Sequence, residues 1–314
     1  MGMGQSFSST LLRQELEKIF VSQQKNQQGH PATYIPELAK ANRDHFSLAL
    51  VTTQGEVLAF GDKEVRFTMQ STSKPFLYSL ALKTKGPEFV HSKVGVEPTG
   101  EAFNSIIELE EKSHRPFNPM INSGAIATTS LIAGVTTDEK FLAIQKHFQE
   151  LAGKPLDLDE KVYLSEKATA HRNRAISYLM KYFNVLEEDI EETLDVYFRQ
   201  CSLLVTTVDL AMMAATLANK GRQPQAGKQV LSPEEVSRTL SLMFTCGMYD
   251  SAGEWAFNVG LPAKSGVSGA VFAVVPGKFG IAGFSPNIDE KGHSYRVSEA
   301  IKEFSKILNL SIFS

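Results

Sequence analysis

Cysteine is scarce in this chain, with only Cys201 and Cys246 among 314 residues. So few thiols exclude a disulfide framework and fit reduced thiols in a cytosolic setting. Long apolar runs are also missing. The longest, such as Ala270 to Val275, fall far short of the ~18 residues that a membrane span needs. The N-terminus lacks the basic-then-apolar pattern of a secretory signal. Met1-Gly2 followed by Ser6 fits a loose myristoylation pattern, one that is common by chance. Charge of one sign is lacking too, since 32 Lys and Arg face 35 Asp and Glu, a net of −3. With no basic cluster among interleaved aromatics, a dedicated nucleic-acid binder is disfavoured. The sequence therefore reads as a soluble cytoplasmic protein.

Several chemical signatures are absent as well. There is no GxxxxGK[ST], no GxGxxG after a strand, no HExxH and no CxxC. The 7 histidines are scattered and never sit at i, i+4. No metal site or nucleotide or flavin cofactor is expected. What remains is globular composition, 42% hydrophobic and 21% charged, in a chain long enough to bury a sizeable core.

Periodicity then places elements along the chain. Leu11 to Val21 reads as a helix with Leu12, Leu16, Ile19 and Phe20 on its apolar face. Phe46 to Val51, Val57 to Phe60 and Val65 to Met69 read as strands of an antiparallel meander broken by glycine turns. Ser71 to Leu82 reads as a helix, and residues 85–250 as largely helical. Ser232-Pro233-Glu234-Glu235 is a helix start, with a cap, proline and first-turn acids. Ala270 to Val275 and Phe279 to Phe284 flank a Pro-Gly-Lys turn and read as a hairpin, and Ser298 to Leu308 as a closing amphipathic helix. The order implies an α+β fold, an antiparallel sheet flanked by terminal helices plus a large helical lobe. The α/β lobe is expected from 1–75 and 255–314, and the helical lobe from 76–254. Ligand sites favour such boundaries.

Ser71-Thr72-Ser73-Lys74 is an S-x-x-K motif at the point where strands give way to a helix. A spacing of three puts Ser71 and Lys74 one turn apart on one face. Pro75 fits only if the helix has just begun. Ser71 would then sit at the positive helix end, where backbone N–H groups can stabilise an oxyanion. Lysine is a poor base at its free pKa of ~10.4, so burial must lower it. Lys264-Ser265-Gly266 is a K-[ST]-G element just before the Ala270 strand. Serine acyl-transferases pair these two motifs, with the second on an edge strand beside the nucleophile. Gly266 allows close approach of a ligand, and the Val267 N–H can complete the oxyanion hole with that of Ser71. The middle S-D-N or Y-x-N motif has no clear counterpart. Tyr182-Phe183-Asn184 matches as text but sits at a helix end and reads as structural.

The sequence closely resembles the serine-dependent glutaminases from about Tyr34 to Pro286. The carrying stretches are Tyr34-Ile-Pro-Glu-Leu, Gln70-Ser-Thr-Ser-Lys-Pro75, Val94-Gly-Val-Glu-Pro-Thr-Gly100 and Asn118-Pro-Met-Ile-Asn-Ser-Gly-Ala-Ile126. Leu210 to Asn219, Cys246-Gly-Met-Tyr-Asp250 and Gly260-Leu-Pro-Ala-Lys-Ser-Gly-Val267 complete them. The resemblance implies a β-lactamase-like fold and hydrolysis of L-glutamine to L-glutamate and ammonia. It maps the nucleophile to Ser71 and the base to Lys74. Substrate-binding positions map to Tyr34, Asn122, Glu166, Asn173, Tyr197, Tyr249 and Val267, with Glu166 and Asn173 placed in a loop. Glu166 would meet the substrate ammonium, and Asn122, Asn173 and Tyr197 its carboxylate. Tyr249 would replace the missing middle motif as a proton relay. A homodimer or homotetramer is implied. The competing readings are a β-lactamase or esterase on the same fold, and a non-catalytic glutamine-binding module.

Overall fold

Ser8 accepts a hydrogen bond from the Leu11 N–H and starts helix α1 (Ser9–Gln23), which buries Leu12, Leu16 and Ile19. This is the expected helix, longer by a residue or two at each end. A computed structural model describes residues 7–100 and 114–314. The myristoylation pattern at Met1, Gly2 and Ser6 lies outside the described residues, as do positions 101–113 of the stretch expected to be largely helical.

Strand β1 (Ser47–Thr52) turns at Gly55, whose φ of +85° suits glycine, and returns as β2 (Val57–Gly61). The expected third meander strand does not join them. Only Phe67–Thr68 is extended (β3), and it pairs with Leu204–Val205 (β4) in a separate two-stranded sheet. The free side of β1 is occupied by a strand from the far end of the chain, a pairing that local alternation cannot announce. The stretch instead leads into Ser71, with the Met69 N–H donating to the Leu203 carbonyl at 2.9 Å.

The helical elements include α2 (Lys74–Lys85), α3 (Pro87–Lys93), α4 (Asn122–Ser130) and α5 (Thr137–Ala152). Then come α6 (Glu160–Thr169), α7 (His171–Tyr182), α8 (Ile190–Cys201), α9 (Thr207–Ala218), α10 (Pro233–Cys246) and α11 (Ala252–Asn258). Thr136, Thr206 and Ser232 each close a capping box with an acid three residues on. The chain then forms β5 (Ala263–Gly266), β6 (Ala270–Val275) and β7 (Phe279–Phe284), and ends in α12 (Tyr295–Leu308). This last helix begins earlier than expected, because Arg296 is buried and its guanidinium reaches the Asn26 and Asp44 carbonyls. A charged residue that caps other chain segments breaks an apolar pattern without breaking the helix.

The main sheet is antiparallel, in the order β2-β1-β7-β6-β5. Every residue of β1, β5, β6 and β7 is buried. Both faces are covered, so β1, β6 and β7 read as largely apolar runs rather than as alternating ones. A Cβ on Gly280 would meet the Ala215 backbone of α9 at 2.3 Å, whereas one on Gly283 would meet Val297 of α12 at 2.6 Å. Helix α9 thus seats on one face and α12 on the other. The arrangement is mixed helix and antiparallel sheet. Among the described residues, no helix is long and apolar enough to cross a membrane.

Candidate active site

Residues Gln70–Ser73 form a 3-10 turn that runs directly into α2. The nucleophile candidate therefore sits in a tighter prelude to the α-helix rather than in its first turn. Pro75 at the second α-helical position explains this, since it cannot donate a backbone hydrogen bond. Side chains brace the turn from within. The Thr72 hydroxyl donates to the Met69 carbonyl at 2.6 Å and the Ser73 hydroxyl to the Gln70 carbonyl at 2.7 Å. Strand β5 lies against this turn. A Cβ on Gly266 would come 3.0 Å from the Met69 carbonyl oxygen and 3.3 Å from the Thr72 nitrogen. The structure thus brings Ser71 and Lys264-Ser265-Gly266 side by side at the sheet edge.

Two fully buried lysines and one tyrosine meet here. Lys74 Nζ donates to Asn122 Oδ1 at 2.6 Å. Burial brings Lys74 down to about 8, while nearby Glu166 acts in the opposite direction. Lys264 Nζ donates to the Ser265 carbonyl at 2.8 Å and lies 3.8 Å from the centre of the Tyr249 ring. Burial first, then the charge of Lys74, hold Lys264 well below the usual lysine range. Two neighbouring ammonium groups cannot both stay charged in so dry a place. Tyr249 opens a 3-10 turn after α10 with φ of 53°, the left-handed region. Its ring centre is 5.7 Å from Lys74 Nζ. Burial raises its hydroxyl pKa, and the nearby Ser71 side chain opposes that rise.

A polar wall closes the other side. Asn122, the first residue of α4, also accepts from the Tyr197 hydroxyl at 3.4 Å and donates from Nδ2 to Asn173 Oδ1 at 3.1 Å. Glu166 is buried and receives Gln70 Nε2 at 3.4 Å. Burial raises its carboxyl to about 7, against the lowering effects of Gln70 and Lys74. Tyr34, Asn122, Glu166, Arg172 and Asn173 line a small pocket of about 70 Å³. Tyr34 is 52% exposed and forms its rim. Val267 follows β5 and packs with Ala32 and Ile288.

Contacts therefore link Ser71, Lys74, Asn122, Glu166, Asn173, Tyr197 and Tyr249, with Tyr34 and Val267 on adjoining walls. The expected loop around Glu166 and Asn173 is in fact two helices, α6 and α7. Their mixed polar composition hides the helical period, because one face of each serves the pocket. Tyr182 is 77% exposed at the end of α7, and Asn184 is left-handed, so Tyr182-Phe183-Asn184 ends a helix. Sequence reasoning assigned no role to Gln70, Cys201 or His293. Gln70 is legible only through its place beside Ser71. Cys201, buried near Tyr197 and Ser73, and His293, beside Tyr249, carry no local signal. Among the described residues, no three or more His, Cys, Asp or Glu side chains could hold a metal ion.

Comparison with known proteins points in one direction. A family model described as Glutaminase matches residues 29–313. A glutaminase of Trichormus variabilis is 51% identical over 286 residues, covering 91% of this chain and 85% of that protein. Glutaminase 2 of Clostridium perfringens is 48% identical over 287 residues, covering 91% and 94%. A solved structure described as probable glutaminase ybaS superposes with a TM-score of 0.96 at 40% identity, covering 98% of this chain and 100% of that one. A crystal structure of Mglu in its glutamate form gives 0.92 at 39% identity, covering 97% and 70%.

Proposed function

The chain belongs to the glutaminase family, and from that premise we propose the route by which it hydrolyses the side-chain amide of L-glutamine to L-glutamate and ammonia. Neutral Lys74 takes the Ser71 proton, relayed by the Tyr249 hydroxyl. Ser71 Oγ attacks the δ-carbon of the amide, and the N–H groups of Ser71 and Val267 hold the oxyanion. The proton returns through the relay to the amide nitrogen. Ammonia departs and leaves a γ-glutamyl ester on Ser71. Water then gives up a proton to the same relay and attacks the ester, releasing glutamate and restoring the hydroxyl.

The observation that carries this reading is the burial of Lys74. A lysine brought to about 8, one turn from Ser71, is a competent base near neutral pH. The Tyr249 ring lies against both lysines and its hydroxyl is near Ser71, which supports its part as the relay. Glu166 meets the substrate ammonium, while Asn122, Asn173 and Tyr197 offer neutral donors to the α-carboxylate. Tyr34 closes the rim. The architecture fits a β-lactamase-like division into an α/β lobe (1–75 and 255–314) and a helical lobe (76–254), with the site between them. The protein works as a cytoplasmic homodimer or homotetramer.

The decisive experiment measures ammonia and glutamate from glutamine, asparagine and γ-glutamyl esters with wild type and Ser71→Ala. Loss of the nucleophile costs several orders of magnitude in kcat with an unchanged melting temperature. Near-normal turnover by the variant would overturn the nucleophile assignment.

A further inference from the structure

His293 is 4% exposed, and no step above uses it. Its ring stacks on Tyr249 with centroids 6.0 Å apart and planes at 17°. Its Nδ1 lies 2.9 Å from the Ser265 hydroxyl. One imidazole therefore touches both elements that face Ser71, the 3-10 turn carrying Tyr249 and the edge strand β5. The His293 backbone is itself anchored, its N–H donating to Asp289 Oδ1 at 2.8 Å and its carbonyl accepting from the Asp289 N–H at 2.8 Å.

Tyr249 needs such an anchor. A non-glycine residue in the left-handed region costs on the order of 1–3 kcal/mol and persists only where its surroundings over-determine it. Strand β5 needs one too, because among the described residues it lies at the sheet edge and pairs with β6 alone. Gly266 is packed closely on the Ser71 turn, so a small shift of this strand moves the Val267 N–H relative to the nucleophile. Burial and the neighbouring Lys264 hold the imidazole neutral, near 4. A neutral ring can stack and exchange a hydrogen bond without adding a third positive charge beside Lys74 and Lys264.

The geometry points to His293 as a positioning residue of the amidohydrolase reaction: its ring holds Tyr249 beside Ser71, and its Nδ1 holds the Lys264-Ser265-Gly266 strand at the oxyanion site. This rests on the relay reading of Tyr249. No contact between His293 and substrate is invoked, so its loss acts on the chemical step rather than on binding.

The test measures kcat and KM for glutamine in His293→Ala, His293→Asn, Ser265→Ala, Tyr249→Phe and the double variant His293→Ala/Tyr249→Phe. His293→Ala lowers kcat about 10- to 100-fold with KM within about 3-fold, the scale expected when reacting groups are misplaced by an ångström or less. His293→Asn recovers part of that loss, because its amide occupies the Nδ1 position and keeps the bond to Ser265. On the Tyr249→Phe background, His293→Ala costs less in kcat than it does in wild type, because only the strand contact is left to lose. Wild-type kcat in His293→Ala, a change in KM alone, or an equally large loss on the Tyr249→Phe background each overturns the proposal. If His293→Ala does not fold, Ser265→Ala decides the strand contact by the same split of kcat against KM, and a wild-type kcat there overturns it. A Tyr249→Phe variant as fast as wild type overturns the relay reading itself, an outcome distinct from a failure at His293.

Discussion

Glu166 is asked to be an anion for the substrate while sitting in a place that resists charge. Burial raises its carboxyl to about 7, so the folded protein holds a proton there that the unfolded chain releases above about pH 4.5. The folded state therefore binds more protons between these values, and stability falls as pH rises through the window, by on the order of 3 kcal/mol. Glu166→Gln should raise the melting temperature at pH 8 while raising KM for glutamine about 10- to 100-fold, the loss expected for a hydrogen bond to a charged group. Thermal melts and initial rates on the same sample check both signs. Lys74 titrates the other way. Its pKa is lowered to about 8, so kcat should climb from pH 6 and level off above about 8 as the amine loses its proton. A kcat already level at pH 6 would exclude Lys74 as the base. Of these side chains, Ser71 and Lys74 are legible from a three-residue spacing. The pKa values that make them work are not, because desolvation is contributed by residues far away along the chain.

Gly266 and Gly280 show how an element depends on an absent methyl group. At Gly266 a Cβ would press on the Met69 carbonyl at 3.0 Å and the Thr72 Cγ2 at 3.1 Å. Gly266→Ala should leave the fold in place and lower kcat at least about 10-fold by pushing β5 off the Ser71 turn. Circular dichroism with an ammonia assay reads both. At Gly280 the added carbon would meet α9 backbone at 2.3 Å. Gly280→Ala should cost about 1–3 kcal/mol or more by levering α9 from the sheet, seen as a lower denaturation midpoint in urea. The hairpin of β6 and β7 and the capped start of α10 are readable locally, since turn and cap chemistry are short-range. The pairing of β3 with β4 is not, because Phe67 and Val205 are brought together only by the packing of the helices between them. The 3-10 turn at Gln70–Ser73 likewise escapes a reading by period alone, since one tight turn and one α-helical turn place Ser71 and Lys74 on the same side.

Across the whole molecule, the oligomer proposed above makes a mass prediction. Light scattering on purified protein should return two or four times the 34.6 kDa of the chain. A monomeric mass with full activity would remove the oligomer from the account. The sequence by itself determined the class of chemistry, because S-x-x-K, K-S-G and the stretches around Tyr34, Asn122 and Tyr249 are short arrays whose meaning is chemical and local. It also determined the first two helices, the one begun at Ser232, the last one, and the paired strands β1–β2 and β6–β7, whose periods and turns lie within a few residues. Tertiary structure alone decided that β7 lies between β1 and β6, and that Glu166 and Asn173 face Lys74 from helices. It alone decided that His293 rests on Tyr249. Those are long-range contacts, selected by how the sheet and helices bury their faces together, and no window of neighbouring residues encodes them.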